Sequence, residues 1–395
     1  MTGPAPVPWR EAVVRLVNEA HQTGPYDLAA LVAETLASIG VQAAIFLVDH
    51  EQRHLRPMPP TEAEPQPVDD STAGQAFTAL RPAPEESVWW VPIVNGTERL
   101  GVLRVTAPPG EPDPERLCTG SLLVAGMVGH LLTAKSQYGD DIERVRRSQP
   151  MSPAAELLWR LLPPLTFSGR QLVITATLEP CYEIGGDAFD YAIDGRTARI
   201  ALYDGVGKGL RATLTTATAM GAVRATRRAG GDIVASAAAA DAAITGEFHD
   251  SRFVTTVLTE LDVHEGRLRY VNAGHPPPVL FRRGRAVREL TDGRRAPLGV
   301  DQGPVRVGEA EFEPGDRLLL YTDGVTEALD AAGVLFGLQR LVDLAERVSA
   351  LDLPPAEVLR RLSHAVLAHQ LRAPRDDAAL LLVEWSPEAA RRSVP

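Results

Sequence analysis

EIGGDAFDYAIDGRTARIALYDGVGKG, residues 183–209, is the stretch on which the fold turns. GGDAFDYAI and RTARIALYDG read as the two arms of a β-hairpin whose second arm ends at Asp204. Asp187 stands directly after the paired glycines Gly185 and Gly186. Two further contexts lie outward along the chain: Asp323 in LLLYTDGVTEA, and Asp376, followed by Asp377, in RDDAALLLV. Three of these four contexts place the aspartate beside a glycine or at the end of an apolar run. There a strand stops, and its last side chain can point into a shared cavity. Hard divalent cations such as Mg²⁺ and Mn²⁺ take oxygen ligands, and Mg²⁺ keeps several waters beside one or two carboxylates. Carboxylates gathered from scattered strand ends can hold two such ions with a water between them, so the pattern reads as a two-metal hydrolase.

The flanking elements set the architecture. QLVITATLEP before the hairpin is a strand, and Ala/Thr-rich helices are expected over about 210–228 and 233–247. Strands resume at FVTTVLTELDV and RLRYVNAG, turning at His264-Glu265-Gly266, then at PPVLFRR, RLLLYTDG and AALLLVEW. Two helices, about 339–350 and 356–369, precede the last strand. Strands in blocks with helices in blocks between them predict stacked sheets covered by helices, not a doubly wound parallel sheet.

A chain of 395 residues, 45% hydrophobic, can bury a large core and argues for two domains. The net charge of −11 argues against a nucleic-acid partner. Cys118 and Cys181 are too few for a disulfide framework and fall in no metal-ligand spacing, which fits a reducing cytoplasm. MTGPAPVPWREAVV lacks the pattern of a signal peptide. Leu117 to Ala134 is apolar but interrupted by Gly120, Gly126, Gly129 and His130, short of the roughly 20 apolar residues of a spanning helix. The expectation is a buried helix in a soluble, cytoplasmic protein with no membrane contact.

In the N-terminal third, Val13, Leu16, Val17 and Ala20 mark an amphipathic helix. A second helix is expected over Leu28–Ile39, capped by Asp27 and ended by Gly40. A strand follows at 43–49, then an aperiodic loop over 50–72. Val88–Val94 and Leu100–Thr106 form a hairpin through Asn95-Gly96, and a helix over about 115–135 closes the module. Trp89 and Trp90 are adjacent, so in a strand they point to opposite faces. This order, with VDDSTAGQAFTALRPAP and VWWVPIVNGTERLGVLRV, resembles a GAF domain over residues 10–135. The resemblance implies a regulatory module that either holds a small ligand beside its sheet or fills that space with side chains. Residues 136–164 read as a helical connector, with Ser152 as cap and Pro153 at the first helical position. Such a connector suits a homodimer or a single helix packed on its own domain.

The later motifs are more specific. EIGGDAFDY, DGVGKG, FVTTVLTELD, YVNAGHPPPVL, APLGV, GDRLLLYTDGVTEA and RDDAALLLV stand in the order seen in bacterial sporulation-protein-E-type serine phosphatases. The resemblance, to that branch of the metal-dependent (PPM, type 2C-like) superfamily, spans residues 165–386. It implies an overall α+β protein: a GAF-like α/β sensor, a helical connector and a PPM-type α-β-β-α sandwich with two Mn²⁺ or Mg²⁺ ions at one end. Carried over, Asp187, Asp204, Asp323 and Asp376 are the metal ligands and catalytic residues, and the backbone carbonyl of Gly205 completes one shell. Asp377 is an outer support, or the ligand itself if the register slips by one. Asp-Gly is a common turn pair, so Asp204 or Asp323 alone would read as a turn; the set favours the metal. The implied substrate is a phosphorylated anti-sigma-factor antagonist of STAS type. The alternative is a sensor or scaffold whose phosphatase domain is weakly active.

Other residues read more plainly. Asn272, Gly274 and His275 fit a hydrogen-bonded turn, with proton donation by His275 as the second reading. Lys208 defaults to a surface lysine, with phosphate contact as the alternative. Glu183 could orient a metal-bound water, and Glu327 is read as a helix-start carboxylate. DGVGKG carries Gly205 where many relatives have a larger residue, and DDAAL lacks a frequent threonine. GGDAF departs from the GGDEF signature at Ala188, and GVGKG lacks the leading glycine and the Ser/Thr of a P-loop.

Overall fold

Alternation of burial along β-strands organises both halves of the chain, because successive side chains point to opposite faces. The computed structural model describes residues 9–106, 114–179, 182–183, 185–300, 303–351, 353–371 and 376–395. Cys181 lies outside them. The chain divides into two compact units between Gln149 and Pro150, with Arg392–Pro395 grouped with the first.

The first unit holds helices α1 (Trp9–Ala20) and α2 (Leu28–Ala37), strands β1 (Gln42–Val48), β2 (His54–Pro57) and β3 (Gln66–Pro67), and helix α3 (Thr72–Ala79). Strands β4 (Ala83–Glu85), β5 (Val88–Asn95) and β6 (Glu98–Thr106) follow, then helices α4 (Pro114–Lys135) and α5 (Asp141–Arg146). They build one six-stranded sheet in the order β3-β2-β1-β6-β5-β4. Ile45 and Leu47 join α1, α2 and α4 in one core, while Ala44, Phe46 and Val48 meet α3 in another. Trp90 is buried edge-on to Phe46 and donates to Glu85, whereas Trp89 packs into the opposite core.

Three local expectations in this unit change. The stretch read as a loop over 50–72 contains β2 and β3, because residues 54–57 pair with β1 and Gln66–Pro67 with β2. Propensity is weak there, and the neighbouring strand decides. Asp27 does not cap α2: its backbone is helical and its side chain makes no capping bond. Helix α4 runs 22 residues and is long and apolar enough to cross a membrane by length and composition. In the structure its Leu117, Val124, Ala125 and Val128 are buried in the core shared with β5.

The second unit begins with α6 (Pro153–Leu161), capped by Ser152 Oγ accepting from Ala155 N at 3.1 Å. It continues through β7 (Thr166–Ser168), β8 (Leu172–Glu179), β9 (Ala188–Asp194), β10 (Thr197–Gly205), α7 (Gly209–Arg228) and α8 (Ile233–Glu247). Next come β11 (Val254–Asp262), β12 (Arg267–Ala273), β13 (Val279–Arg282), β14 (Arg285–Glu289), β15 (Arg294–Arg295), β16 (Gly308–Glu311) and β17 (Arg317–Tyr321). Helices α9 (Asp323–Thr326), α10 (Leu338–Ser349) and α11 (Pro355–His369) lead to β18 (Ala378–Trp385). One sheet runs β15-β12-β11-β10-β9, with β16 also on β12; the other runs β14-β13-β17-β18-β8-β7.

The two sheets stack, as the alternation of β18 and β17 side chains between two cores shows. Ala379, Leu381 and Val383 enter the core that also takes Ile200 and Leu202 of β10 and Met220 of α7. Ala378, Leu380 and Leu382 face the core built with α10 and α11. Leu318 and Leu320 of β17 join the first core, Leu319 and Tyr321 the second. The result is helix, sheet, sheet, helix. Truncating a leucine such as Leu381, fully buried, to alanine would cost about 2–5 kcal/mol. The sandwich is therefore a rigid frame for whatever its strand ends carry.

Candidate metal centre

The hairpin of β9 and β10 brings its two aspartates to the same end. Tyr203 pairs with Ala188, so Asp187 and Asp204 both stand at the open end of the ladder. Asp323 begins α9 directly after β17, and Asp376 and Asp377 directly precede β18. Tyr321 pairs with Leu380, so those ends coincide too. The sequence-predicted residues are thus brought together by antiparallel register.

Asp187 is 2% exposed. Its Oδ2 accepts from Thr322 Oγ1 at 2.6 Å, and the same hydroxyl accepts from Ala379 N at 2.9 Å. Burial, then the neighbouring Asp204, Asp377 and Asp323, hold the Asp187 carboxyl well above the ordinary carboxylate range. Asp204 is pushed up to about 7 by burial, then by Asp323 and Asp376. Asp323 is raised by burial and by Glu327 and Asp376.

The turn before Asp187 is held from both sides. Asp377 Oδ2 accepts from the amides of Gly185 and Gly186, each at 2.7 Å. From α7, Thr213 Oγ1 donates to Gly185 O at 2.5 Å and Thr216 Oγ1 to Gly186 O at 2.7 Å. Glycine is required here by close approach. A Cβ on Gly186 would lie 2.5 Å from Gly205 O, and one on Gly205 would lie 2.2 Å from Thr216 Oγ1. This accounts for glycine at position 205 in this chain: α7 leaves no room for a side chain. It also sets the Gly205 carbonyl against the turn that carries Asp187.

The hydrogen-bonded turn expected at Asn272-Gly274-His275 is present, and the second reading of His275 is set aside: at 3% exposure it is not placed to give a proton to a leaving group at the surface. Its Nδ1 lies 2.8 Å from Thr255 Oγ1, which donates to Asp204 Oδ2 at 3.4 Å, and its amide donates to Asn272 Oδ1. Burial lowers its pKa to about 3, leaving it neutral. His275 therefore supports Asp204 from behind. Glu327 ends α9 instead of starting it, and Glu183 is exposed. Thr213, Thr216, Thr255 and Thr322 carry the site's supporting bonds and were not singled out from sequence. The available signal was the i, i+3 spacing of Thr213 and Thr216, which puts them on one helix face.

The donor set suits hard cations: carboxylates and a backbone carbonyl, all oxygen, with the buried Asp187 facing other carboxylates. Among the described residues, no three acidic, histidine or cysteine side chains converge into a ready-made shell. The chemistry of the donors fits, and ligands at exposed Asp323 and Asp376 would have to close on an ion.

Residues 194–386 match the family model for stage II sporulation protein E (SpoIIE). The chain is 26% identical over 226 residues to phosphoserine phosphatase RsbP of Bacillus subtilis, covering 54% of this chain and 52% of that protein. It is 23% identical over 215 residues to phosphoserine phosphatase RsbU of the same organism, covering 54% of this chain and 63% of that protein. The chain thus spans less than two thirds of the length of these curated relatives. Among solved structures, the SiaA-PP2C domain of Pseudomonas aeruginosa aligns with a TM-score of 0.51 at 24% identity, covering 59% of this chain and 94% of that domain. That likeness shows a PP2C-type fold.

Proposed function

We propose, since residues 194–386 match the family model for stage II sporulation protein E, that this chain is a metal-dependent phosphatase of phosphoserine or phosphothreonine in a protein, of the PPM type. The observation that carries the reading is the gathering of Asp187, Asp204, Asp323, Asp376 and Asp377 from separate chain segments to one end of the sandwich, where burial first and neighbouring carboxylates second raise the pKa of Asp187, Asp204 and Asp323. Mutual repulsion of this kind costs stability unless cations occupy the cluster. Asp187, Asp204, Asp323, Asp376 and the Gly205 carbonyl would hold two Mn²⁺ or Mg²⁺ ions. Such ions supply a water of lowered pKa and positive charge for phosphoryl oxygens. Thr322 orients Asp187, Thr255 orients Asp204, and Asp377 fixes the turn from which Asp187 projects.

The substrate we assign is a serine-phosphorylated anti-sigma-factor antagonist of STAS type. The names of RsbP and RsbU as phosphoserine phosphatases support the phosphoserine half of that assignment. The first unit we assign as a GAF-like regulator, acting in a cytoplasmic homodimer. The second reading, a scaffold with a weakly active domain, is favoured by one observation, the lack of three converged ligand side chains among the described residues.

The test is phosphate release from such an antagonist with Mn²⁺ and then with EDTA, for wild type and Asp204→Asn. Release that requires both the metal and Asp204 supports the enzyme. No release and no Mn²⁺ binding supports the scaffold; bound Mn²⁺ without release points to a silent state awaiting a signal, or to another substrate.

A further inference from the structure

Asp241 interrupts the buried face of an alanine-rich helix, α8, whose sequence is IVASAAAADAAITGE, and it is 2% exposed. A carboxylate in such a place is costly unless it is both paired and hydrogen-bonded. One segment, residues 295–299, meets both needs. Arg295 Nη2 pairs with Asp241 Oδ2 at 2.5 Å, and the Gly299 amide donates to Asp241 Oδ1 at 2.8 Å. The segment is thus gripped at both its ends by one carboxylate.

Its contacts lead to the metal end of the sheet. Leu298 exchanges backbone hydrogen bonds with Val254, at 3.0 and 2.9 Å, and Val254 stands opposite Gly205 in the ladder of β10 and β11. Thr255, the next residue, stands opposite Asp204. Pro297 lies against Gly274, where a Cβ would come within 2.6 Å of the proline Cγ, and Arg295 pairs with Ala273. Gly274 is followed by His275, whose Nδ1 lies 2.8 Å from Thr255 Oγ1. Gly299 is packed as closely on its other side: at φ +94°, a Cβ there would lie 2.6 Å from both Arg252 O and Ile244 Cγ2 of α8. The segment therefore sits against the neighbours of both residues that support Asp204.

We infer that Asp241 is a positioning residue for the metal centre: by clamping residues 295–299 it fixes Thr255 and His275, and through them the carboxylate of Asp204. This rests on the metal reading above. Asp241 itself touches neither cation nor substrate. A clamp that served only the fold would lower the melting temperature and leave cation affinity alone.

The test is Mn²⁺ affinity of the metal-stripped full chain, by calorimetry, for wild type, Asp241→Asn, Thr255→Val, the double variant and Leu261→Ala. Asp241→Asn keeps an acceptor for the Gly299 amide and gives up the charge that holds Arg295. It should bind Mn²⁺ about 3- to 10-fold more weakly. In the double variant the loss should fall well short of the product of the two single losses, because both act on Asp204. Leu261→Ala removes a fully buried leucine at the far end of β11 and should stay within about 2-fold of wild type. Asp241→Asn with Mn²⁺ affinity within about 2-fold of wild type overturns the proposal and leaves the metal reading standing. Single losses that multiply in the double variant do the same, since Asp241 would then act without Thr255. So does an equal loss in Leu261→Ala, which would reduce the clamp to general stability. Wild type that binds no Mn²⁺ overturns the metal reading, and this inference with it.

Discussion

Asp187 is buried, takes a hydrogen bond from Thr322, and follows a turn whose two amides bond to Asp377 and whose two carbonyls bond to Thr213 and Thr216. Asp376, in the same cluster, is exposed, accepts from the Asp377 amide at 3.2 Å and lies 3.5 Å from Lys208 Nζ. Adjacent residues, Asp376 and Asp377, thus fall on opposite sides of this divide. The inner half is pre-organised by strands and a helix; the outer half is free to adapt to what arrives. The function proposed for this site calls for both: a fixed point to set geometry, and a rim that can exchange partners.

The largest expected effect tests whether the inner half is the catalytic anchor. Asp187→Asn should lower phosphate release by roughly a thousandfold, since lost metal-borne stabilisation is worth several kcal/mol and each 1.36 kcal/mol is about tenfold. A loss under tenfold would break the assignment. Next comes the contrast between neighbours. Asp377→Ala strips the acceptor from two buried amides and should destabilise the fold by about 2–3 kcal/mol in urea unfolding, whereas Asp376→Ala should stay within about 0.5 kcal/mol. Equal losses would erase the distinction drawn here.

Metal removal gives a smaller, signed effect. With Asp204 raised to about 7, the cation-free folded state holds a proton that the unfolded chain has lost above about pH 4. Stability should therefore fall as pH rises from about 4 to 7, so EDTA-treated protein melts higher at pH 6 than at pH 8. The difference is on the order of 1 kcal/mol, and saturating Mn²⁺ should remove it. A melting temperature that rises with pH over this range would refute the mutual repulsion. Smallest of all, Thr216→Val should cost about 1 kcal/mol by leaving the Gly186 carbonyl without its partner, with Mn²⁺ affinity falling in parallel. Stability lost with Mn²⁺ affinity intact would confine the threonine to packing.

Much of the site could be read without coordinates because its proposed ligands sit where local sequence signals are strongest. Asp204 and Asp323 follow apolar runs and precede glycine, and Asp187 follows two glycines, so strand ends and turns announced them. The supporting residues gave no such signal. Thr213 and Thr216 lie in a helix of many alanines and threonines, and only the Gly185-Gly186 turn across from them separates these two from the rest. His275 was legible as part of a hydrogen-bonded turn, but its place behind Thr255, as a support for Asp204, was not.

The sequence by itself determined the longer strands, the helices α7 and α8, and the aspartates worth attention, because these depend on neighbours within a few residues. Tertiary structure alone decided which aspartate is clamped and which is free, why Gly205 must be glycine, and that β2 and β3 exist at all. Those depend on hydrogen bonds and close contacts between segments far apart in the chain. The Asp377 carboxylate reaches Gly185 across 192 positions, and no local pattern encodes such a partner.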